Sequence, residues 1–299
     1  MSLLVNINKM GDAINIITYI FNGFTILISF YLIFLYLKSS VFHQFQSFNV
    51  IILSFVIFLD NILRIIPMDV YILRHIQAFL LTFFDKLILA IITSQALILY
   101  YGVCHTKLYY KREKILFLTS FLIGLLISIV LSILYIVIAN NEKGEGGITN
   151  YDNSSIYFYV IGTDFKALAD SIFNGVFLFF NLFFSIVLLI FITRKRKQAS
   201  LGIIEDLDYG HHNLRIILMF IVNSFMFVES YLIIYDKMPY DIIDLIYLIS
   251  CLLVDLYYTI NKIIIKETLK IFCKKYYDKK YPEIKKDETI DMGDSDDDE

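Results

Sequence analysis

Tryptophan is missing from the 299 residues, and proline and cysteine are scarce, with three of each. The missing tryptophan supports no functional conclusion. Three cysteines, Cys104, Cys251 and Cys273, are too few for a disulfide framework, which excludes a small secreted scaffold. The prolines, Pro67, Pro239 and Pro282, fall between apolar runs or in the tail, so no run is broken by one. Charge is low as well: 18% of residues are charged and 58% apolar, where a soluble domain is roughly half apolar and about a quarter charged. With a mean hydropathy of +0.67, that excludes an ordinary cytosolic enzyme. The chain also has no internal repeat, no Gly/Ser linker, no Gly-rich phosphate loop and no Ser-His-Asp set at a common depth. Neither enzymatic activity nor a nucleic-acid partner is expected.

What the chain does have is apolar length. A helix crossing the hydrocarbon core needs roughly 20 mostly apolar residues. Seven runs qualify: residues 13–37, 48–66, 76–103, 115–139, 167–193, 216–235 and 241–265. The first and fourth are uncharged. The second holds Asp60 and Arg64, the third Asp85 and Lys86, the fifth Asp170, the sixth Glu229, and the seventh Asp244 and Asp255. Each is longer than the roughly 9–11 residues of a barrel strand, and none alternates apolar with polar. Inside lipid every backbone N–H and C=O needs a partner, which a helix supplies locally. The expected fold is therefore an all-α membrane protein, a seven-transmembrane helix bundle over residues 13–265.

Residues 1–12 read as an extracellular N-terminus, too short for a cleaved signal peptide, so the first run is expected to act as an uncleaved anchor. After the seventh run the chain reads KETLKIFCKKYY, residues 266–277. Leu269, Ile271, Phe272 and Tyr276 alternate there with lysines, as suits a short amphipathic helix on the inner membrane surface. Cys273 stands where a palmitoyl chain would enter the bilayer, with an unmodified thiol as the alternative. Residues 278–299 read as an acidic, disordered cytoplasmic tail.

Basic residues orient the bundle, because cytoplasmic loops carry the excess of Lys and Arg. One side carries Lys38, the third-loop residues Lys107, Lys111, Arg112 and Lys114, the fifth-loop residues Arg194, Lys195, Arg196, Lys197 and Arg215, and nine tail lysines, nineteen in all. The other carries five: Lys9, Arg74, Lys143, Lys166 and Lys237. The expected setting is the plasma membrane, with the N-terminus outside and the C-terminus in the cytosol. The sequon at Asn153 falls in the loop placed outside and is a glycosylation candidate. Ser200, after a basic run, and Ser295, before an acidic one, are weak phosphorylation candidates. The basic run 194–197 is also suited to contact with anionic membrane lipid.

Ionisable groups at bilayer depth usually face the bundle interior and have partners. At about 1.5 Å rise per residue, Asp60 and Asp255 come out roughly 15–18 Å above the cytosolic end, with Ser94 near that level. Arg64, Asp85, Lys86 and Glu229 come out higher, at roughly 20–28 Å. Two readings stand open. The four upper residues form a ligand site, with Asp60, Ser94 and Asp255 as an ion or switch site beneath, or all of them form internal ion pairs that fix helix register. Asp60 and Arg64, four apart, share a face and can pair. Asp85 and Lys86 are about 100° apart around the helix, so they cannot point to one place. Gly124, Ser128 and Ser132 form a small-residue stripe for helix packing. No histidine stands at metal-ligand spacing on a run, and no metal site is expected.

Seven helices, an outside N-terminus, short loops, a sequon in the loop after the fourth run and a surface helix after the seventh together resemble a G-protein-coupled receptor. Asp60, in LSFVIFLDN, resembles the mid-membrane aspartate of the rhodopsin-like class, which helps hold a sodium ion. Ser94 matches a polar partner of that site by depth alone. Asp255-Leu256-Tyr257-Tyr258 resembles the Asn/Asp-Pro-x-x-Tyr element, with Leu256 in place of the proline. The third run ends in YYGVCH, without the class's acidic-Arg-aromatic triplet, and has no cysteine at its outer end. A divergent receptor fits these departures. Lys262 lies at the inner end of the seventh run, which argues against a retinal protein. The resemblance implies a small-molecule or peptide ligand in the outer half of the bundle, signalling through the cytosolic loops, and a heterotrimeric G protein as partner. A small ion or proton-coupled transporter or channel is the alternative reading of the same charges.

Overall fold

A computed structural model describes residues 2–39, 45–66, 70–104, 106–143, 148–149, 159–160, 164–200, 240–259 and 262–280. Glu229 and the whole sixth run, Asn153, Ser295 and the tail beyond residue 280 lie outside the described residues. The described chain is helical except for one two-residue ladder. Its helices are α1 (Ser2–Lys38), α2 (Phe45–Ile65), α3 (Tyr71–Cys104), α4 (Thr106–Lys143), α5 (Asp164–Ser200), α6 (Tyr240–Thr259), α7 (Lys262–Phe272) and α8 (Lys274–Lys280). Strands β1 (Ile148–Thr149) and β2 (Tyr159–Val160) pair antiparallel between α4 and α5 and pack on α3 and α4.

Four stretches are long and apolar enough to cross a membrane: Ile16–Lys38, Tyr71–Ile98, Lys114–Glu142 and Leu168–Arg194. They coincide with the first, third, fourth and fifth runs. Their outward faces carry large exposed apolar side chains, among them Phe24, Leu27 and Phe30 on α1, Leu122, Leu126 and Val130 on α4, and Ile172, Phe179 and Phe183 on α5. A soluble monomer rarely exposes so continuous an apolar surface, and a lipid-solvated one needs it. These helices mark a membrane-embedded protein. Polar side chains enter such helices at little cost because hydroxyls bond back to the carbonyl four residues earlier, as Thr25 does to Phe21, Ser94 to Ala90 and Ser128 to Gly124.

Buried contacts give the helix directions. Ala78 of α3 clusters with Tyr135 and Ala139 of α4, Ala90 meets Gly124, and Ile98 meets Phe117, so α3 and α4 are antiparallel. Lys86 reaches Asp170, Asn181 donates to Thr93, and Tyr100 packs on Phe184, so α3 and α5 are parallel. Helix α2 runs against α3, with Ile52 packed at the Ile98–Phe117 pair and Arg64 bridged to Asp85. It also runs against α6, through Ser54 to Asp255 and Asp60 to Tyr247. Helix α6 therefore runs the same way as α3 and α5. Helix α1 packs on α2 and α6.

The small-residue stripe of α4 is buried, and its Gly124 lies in the α3–α4 contact. Ser128 and Ser132 are fully buried, and a Cβ added at Gly124 would stand 2.6 Å from the Cβ of Ala90. Gln77 of α3 closes the end of α2, donating to the carbonyls of Leu63 at 2.7 Å and Ile66 at 2.9 Å. Leu63 lies in the last turn of α2 and Ile66 directly follows it, where carbonyls lack a partner within the helix.

Several boundaries differ from expectation. Helix α1 reaches back to Ser2 rather than starting near residue 13. The seventh run, read as one span to residue 265, is helix α6 to Thr259, and Ile263, Ile264 and Ile265 belong to α7. Apolar counting cannot see a helix end that falls inside an apolar stretch. The amphipathic segment begins at Lys262 rather than 266 and is two helices, which meet at Cys273. The helical segment ends at Lys280, three residues into the stretch read as disordered tail. Residues 261–299 cluster as a unit separate from residues 1–260. Within it, Lys262, Lys266, Lys270 and Lys274 recur every fourth residue, Cys273 is exposed, and the Tyr276 and Tyr277 N–H groups both donate to the Cys273 carbonyl at 2.9 Å.

Candidate functional site

Among the described residues, the charges inside the bundle include two ionic clusters and one carboxyl held by hydroxyls. The first cluster joins α2, α3 and α6. Arg64 Nε donates to Asp60 Oδ2 at 3.0 Å, one helical turn away, and Arg64 Nη2 donates to Asp85 Oδ1 on α3 at 3.1 Å. The Tyr247 hydroxyl of α6 donates to Asp60 Oδ2 at 3.2 Å, and its ring centroid lies 4.6 Å from the guanidinium carbon. One planar cation thus answers two carboxylates and an aromatic face, which a lysine's point charge cannot do. Asp60 is 0% and Arg64 5% exposed, whereas the Asp85 side chain is 36% exposed. Asp85 is the cluster's opening.

The second cluster joins α3, α4 and α5. Lys86 Nζ lies 2.6 Å from Asp170 Oδ1, Lys166 Nζ lies 3.3 Å from Asp170 Oδ2, and the Tyr135 hydroxyl donates to Asp170 Oδ1 at 2.8 Å. Lys86 also lies 5.6 Å from the Phe173 ring centroid, and Lys166 lies 5.8 Å from that of Tyr135. Asp170, Tyr135 and Lys86 are buried. Between them the two clusters tie α3 to four other helices.

Asp255 stands apart from both. It is fully buried on α6, and the hydroxyl of Ser29 on α1 donates to its Oδ2 while that of Ser54 on α2 donates to its Oδ1 at 3.4 Å. Among the described residues no group of three or more His, Cys, Asp or Glu converges as a metal site.

The expected sites are regrouped accordingly. Asp85 and Lys86 do point apart, but they enter different clusters, so Arg64, Asp85 and Lys86 do not line one pocket. Glu229, the fourth expected member, is outside the described residues. Asp60, Ser94 and Asp255 do not converge either. Asp60 is bound to Arg64 and Tyr247, the Ser94 hydroxyl donates to Ala90 of its own helix at 2.9 Å, and Asp255 takes Ser29 and Ser54. Equal height on three helices does not bring side chains together, because each also needs the right rotation about its axis. The backbone of Ser200 closes α5, and Cys273 is an exposed thiol.

Sequence reading missed Tyr247, Tyr135, Lys166, Asp170, Ser29 and Ser54. Asp170 was visible as the lone charge of its run. Ser29 belongs to a legible pattern, since Thr18, Asn22, Thr25 and Ser29 all lie on one buried face of the uncharged run 13–37. The tyrosines gave no signal, being two among twenty-two. No family model matches the chain, and no curated protein matches it.

Proposed function

We propose that the chain is a seven-span receptor resembling the G-protein-coupled receptors, in which the Asp60–Arg64–Asp85 cluster is the ligand-sensitive element. The observation that carries this reading is the single guanidinium that holds α2, α3 and α6 together while one of its two carboxylates, Asp85, is open. A cationic group of a small ligand that reaches Asp85 competes with Arg64 for it. Releasing Arg64 from α3 loosens the three-helix junction, and a ligand shifts such an equilibrium only by binding its two states differently. The second cluster keeps α3 anchored to α4 and α5 meanwhile.

Helix direction supports the seven crossings. Helices α5 and α6 run the same way, so the 39 residues between them must return the chain to the end where α5 began. Crossing roughly 30 Å of hydrocarbon takes about 20 helical residues, and residues 216–235 are apolar enough for it. With seven crossings the positive-inside rule leaves the N-terminus outside and the lysine-rich end inside, at the plasma membrane. A heterotrimeric G protein is the proposed cytosolic partner, a small molecule or peptide the ligand, and a glycan at Asn153 and a palmitoyl group at Cys273 the proposed modifications.

The test is nucleotide exchange on a panel of purified G-protein heterotrimers by the chain in nanodiscs. We expect a basal rate above empty nanodiscs that rises in Arg64→Gln, which opens the junction. No exchange on any heterotrimer in wild type or variant overturns the receptor reading. A second reading, a proton or ion pathway, is favoured by Asp255, a buried carboxyl with no basic partner among the described residues. Flux in proteoliposomes that is lost in Asp255→Asn supports it instead.

A further inference from the structure

We infer that Asp255, with Ser29 and Ser54, forms a proton-binding site that joins α1, α2 and α6. The inference rests on the membrane-embedded bundle and not on the receptor assignment. All three side chains are 0% exposed and come from three different helices. An ionised carboxylate at this depth requires a counter-charge or neutralisation, and among the described residues the elements packed around it offer no counter-charge. Residues 16–37 of α1 contain no acidic or basic side chain, and Tyr36 lies seven residues beyond Ser29. On α2 the only charges are Asp60 and Arg64, six and ten residues beyond Ser54 and bonded to each other. On α6, Cys251 is one turn from Asp255, and Tyr247 is two turns away and committed to Asp60.

The contact geometry favours a proton over a metal ion. The Ser29 hydroxyl bonds Oδ2 directly, leaving no gap for an ion between them. On the other oxygen the Ser54 contact is long, at 3.4 Å. Uptake of one proton from water makes the neutral acid, whose O–H on Oδ1 donates to Ser54 Oγ and shortens that contact, while Ser29 continues to donate to Oδ2. The Ser54 hydroxyl, no longer donating to Oδ1, turns its O–H to a carbonyl one turn back in its own helix. Seven residues above Ser29 and Ser54, close to the same helix faces, stand Asn22 and Asn61. Both are buried, and the side-chain carbonyl oxygen of each has no hydrogen-bond donor among the described residues. Buried acceptors of this kind are satisfied by internal water, which gives the proton a hydrated approach.

The experiment is infrared spectroscopy of the full chain in nanodiscs, with aspartate labelled with carbon-13, titrated over pH. A protonated-carboxyl band should grow on acidification, be lost in Asp255→Asn, and be indifferent to exchange of sodium for choline. Ser29→Ala and Ser54→Ala keep the carboxyl and remove one partner each, so they serve if Asp255→Asn does not fold. Each should shift both the band frequency and the titration midpoint. A band that survives in Asp255→Asn, a band unmoved by both serine variants, the absence of any band across the folded range, or its removal by sodium at fixed pH overturns the site. None of these readouts requires a ligand or a G protein, so a failed receptor assignment leaves them unchanged.

Discussion

Arg64 bears on two carboxylates and an aromatic ring. Removing one partner of a buried ion pair typically costs about 3–5 kcal/mol, because the other charge is left uncompensated. Arg64→Met should therefore lower the unfolding midpoint of the detergent-solubilised protein sharply. Asp60→Asn added to it should recover part of the loss, since replacing both partners removes the stranded charge. In the second cluster Tyr135→Phe deletes one hydrogen bond to a charged group, worth about 1.5–3 kcal/mol. The upper figure is not expected, because Asp170 keeps both lysines. Lys86→Met should be costlier than Lys166→Met, since Lys86 is the closer of the two, at 2.6 Å against 3.3 Å. Thermal melts of the two variants side by side check the order. Half of this chemistry was legible beforehand. Charged residues stand out in an apolar run, so Asp60, Arg64, Asp85 and Lys86 were legible, and the divergent aim of the last two followed from helical geometry. Their partners were not legible, because Tyr247 and Ser54 owe their roles to neighbouring helices that are remote in sequence.

At the scale of elements, what could be read depended on length. Four runs are helices of membrane-spanning length because nothing in them favours any other local structure. The end of α6 at Thr259 was hidden, since the isoleucines that follow it are as apolar as the helix before it. A packing face on α4 was predicted from spacing alone, by Gly124, Ser128 and Ser132, but not the helix that meets it. At Gly124 that helix is α3, and there is no room for a methyl group. Gly124→Ala should push α3 and α4 apart at Ala90 and destabilise by about 1–3 kcal/mol, the usual penalty for overpacking. Ala90→Gly in the same chain should restore stability, because the two Cβ positions compete for one space. Failure of that rescue in unfolding measurements would show that the helices do not meet there.

At the scale of the whole molecule, the alternation of helix directions sets where each loop emerges. Single cysteines introduced at positions 141 and 198 should react with membrane-impermeant maleimide from opposite sides of sealed cells, and position 141 from the outside. Labelling of both from one side would break the alternation of α4 and α5. The two ionic clusters lie on different flanks of α3, fed by adjacent residues of one helix. A roll of α3 about its own axis that favours one flank must tear the other, so the helix behaves as a keyed shaft. Any message it transmits has to travel as a tilt or a lengthwise slide.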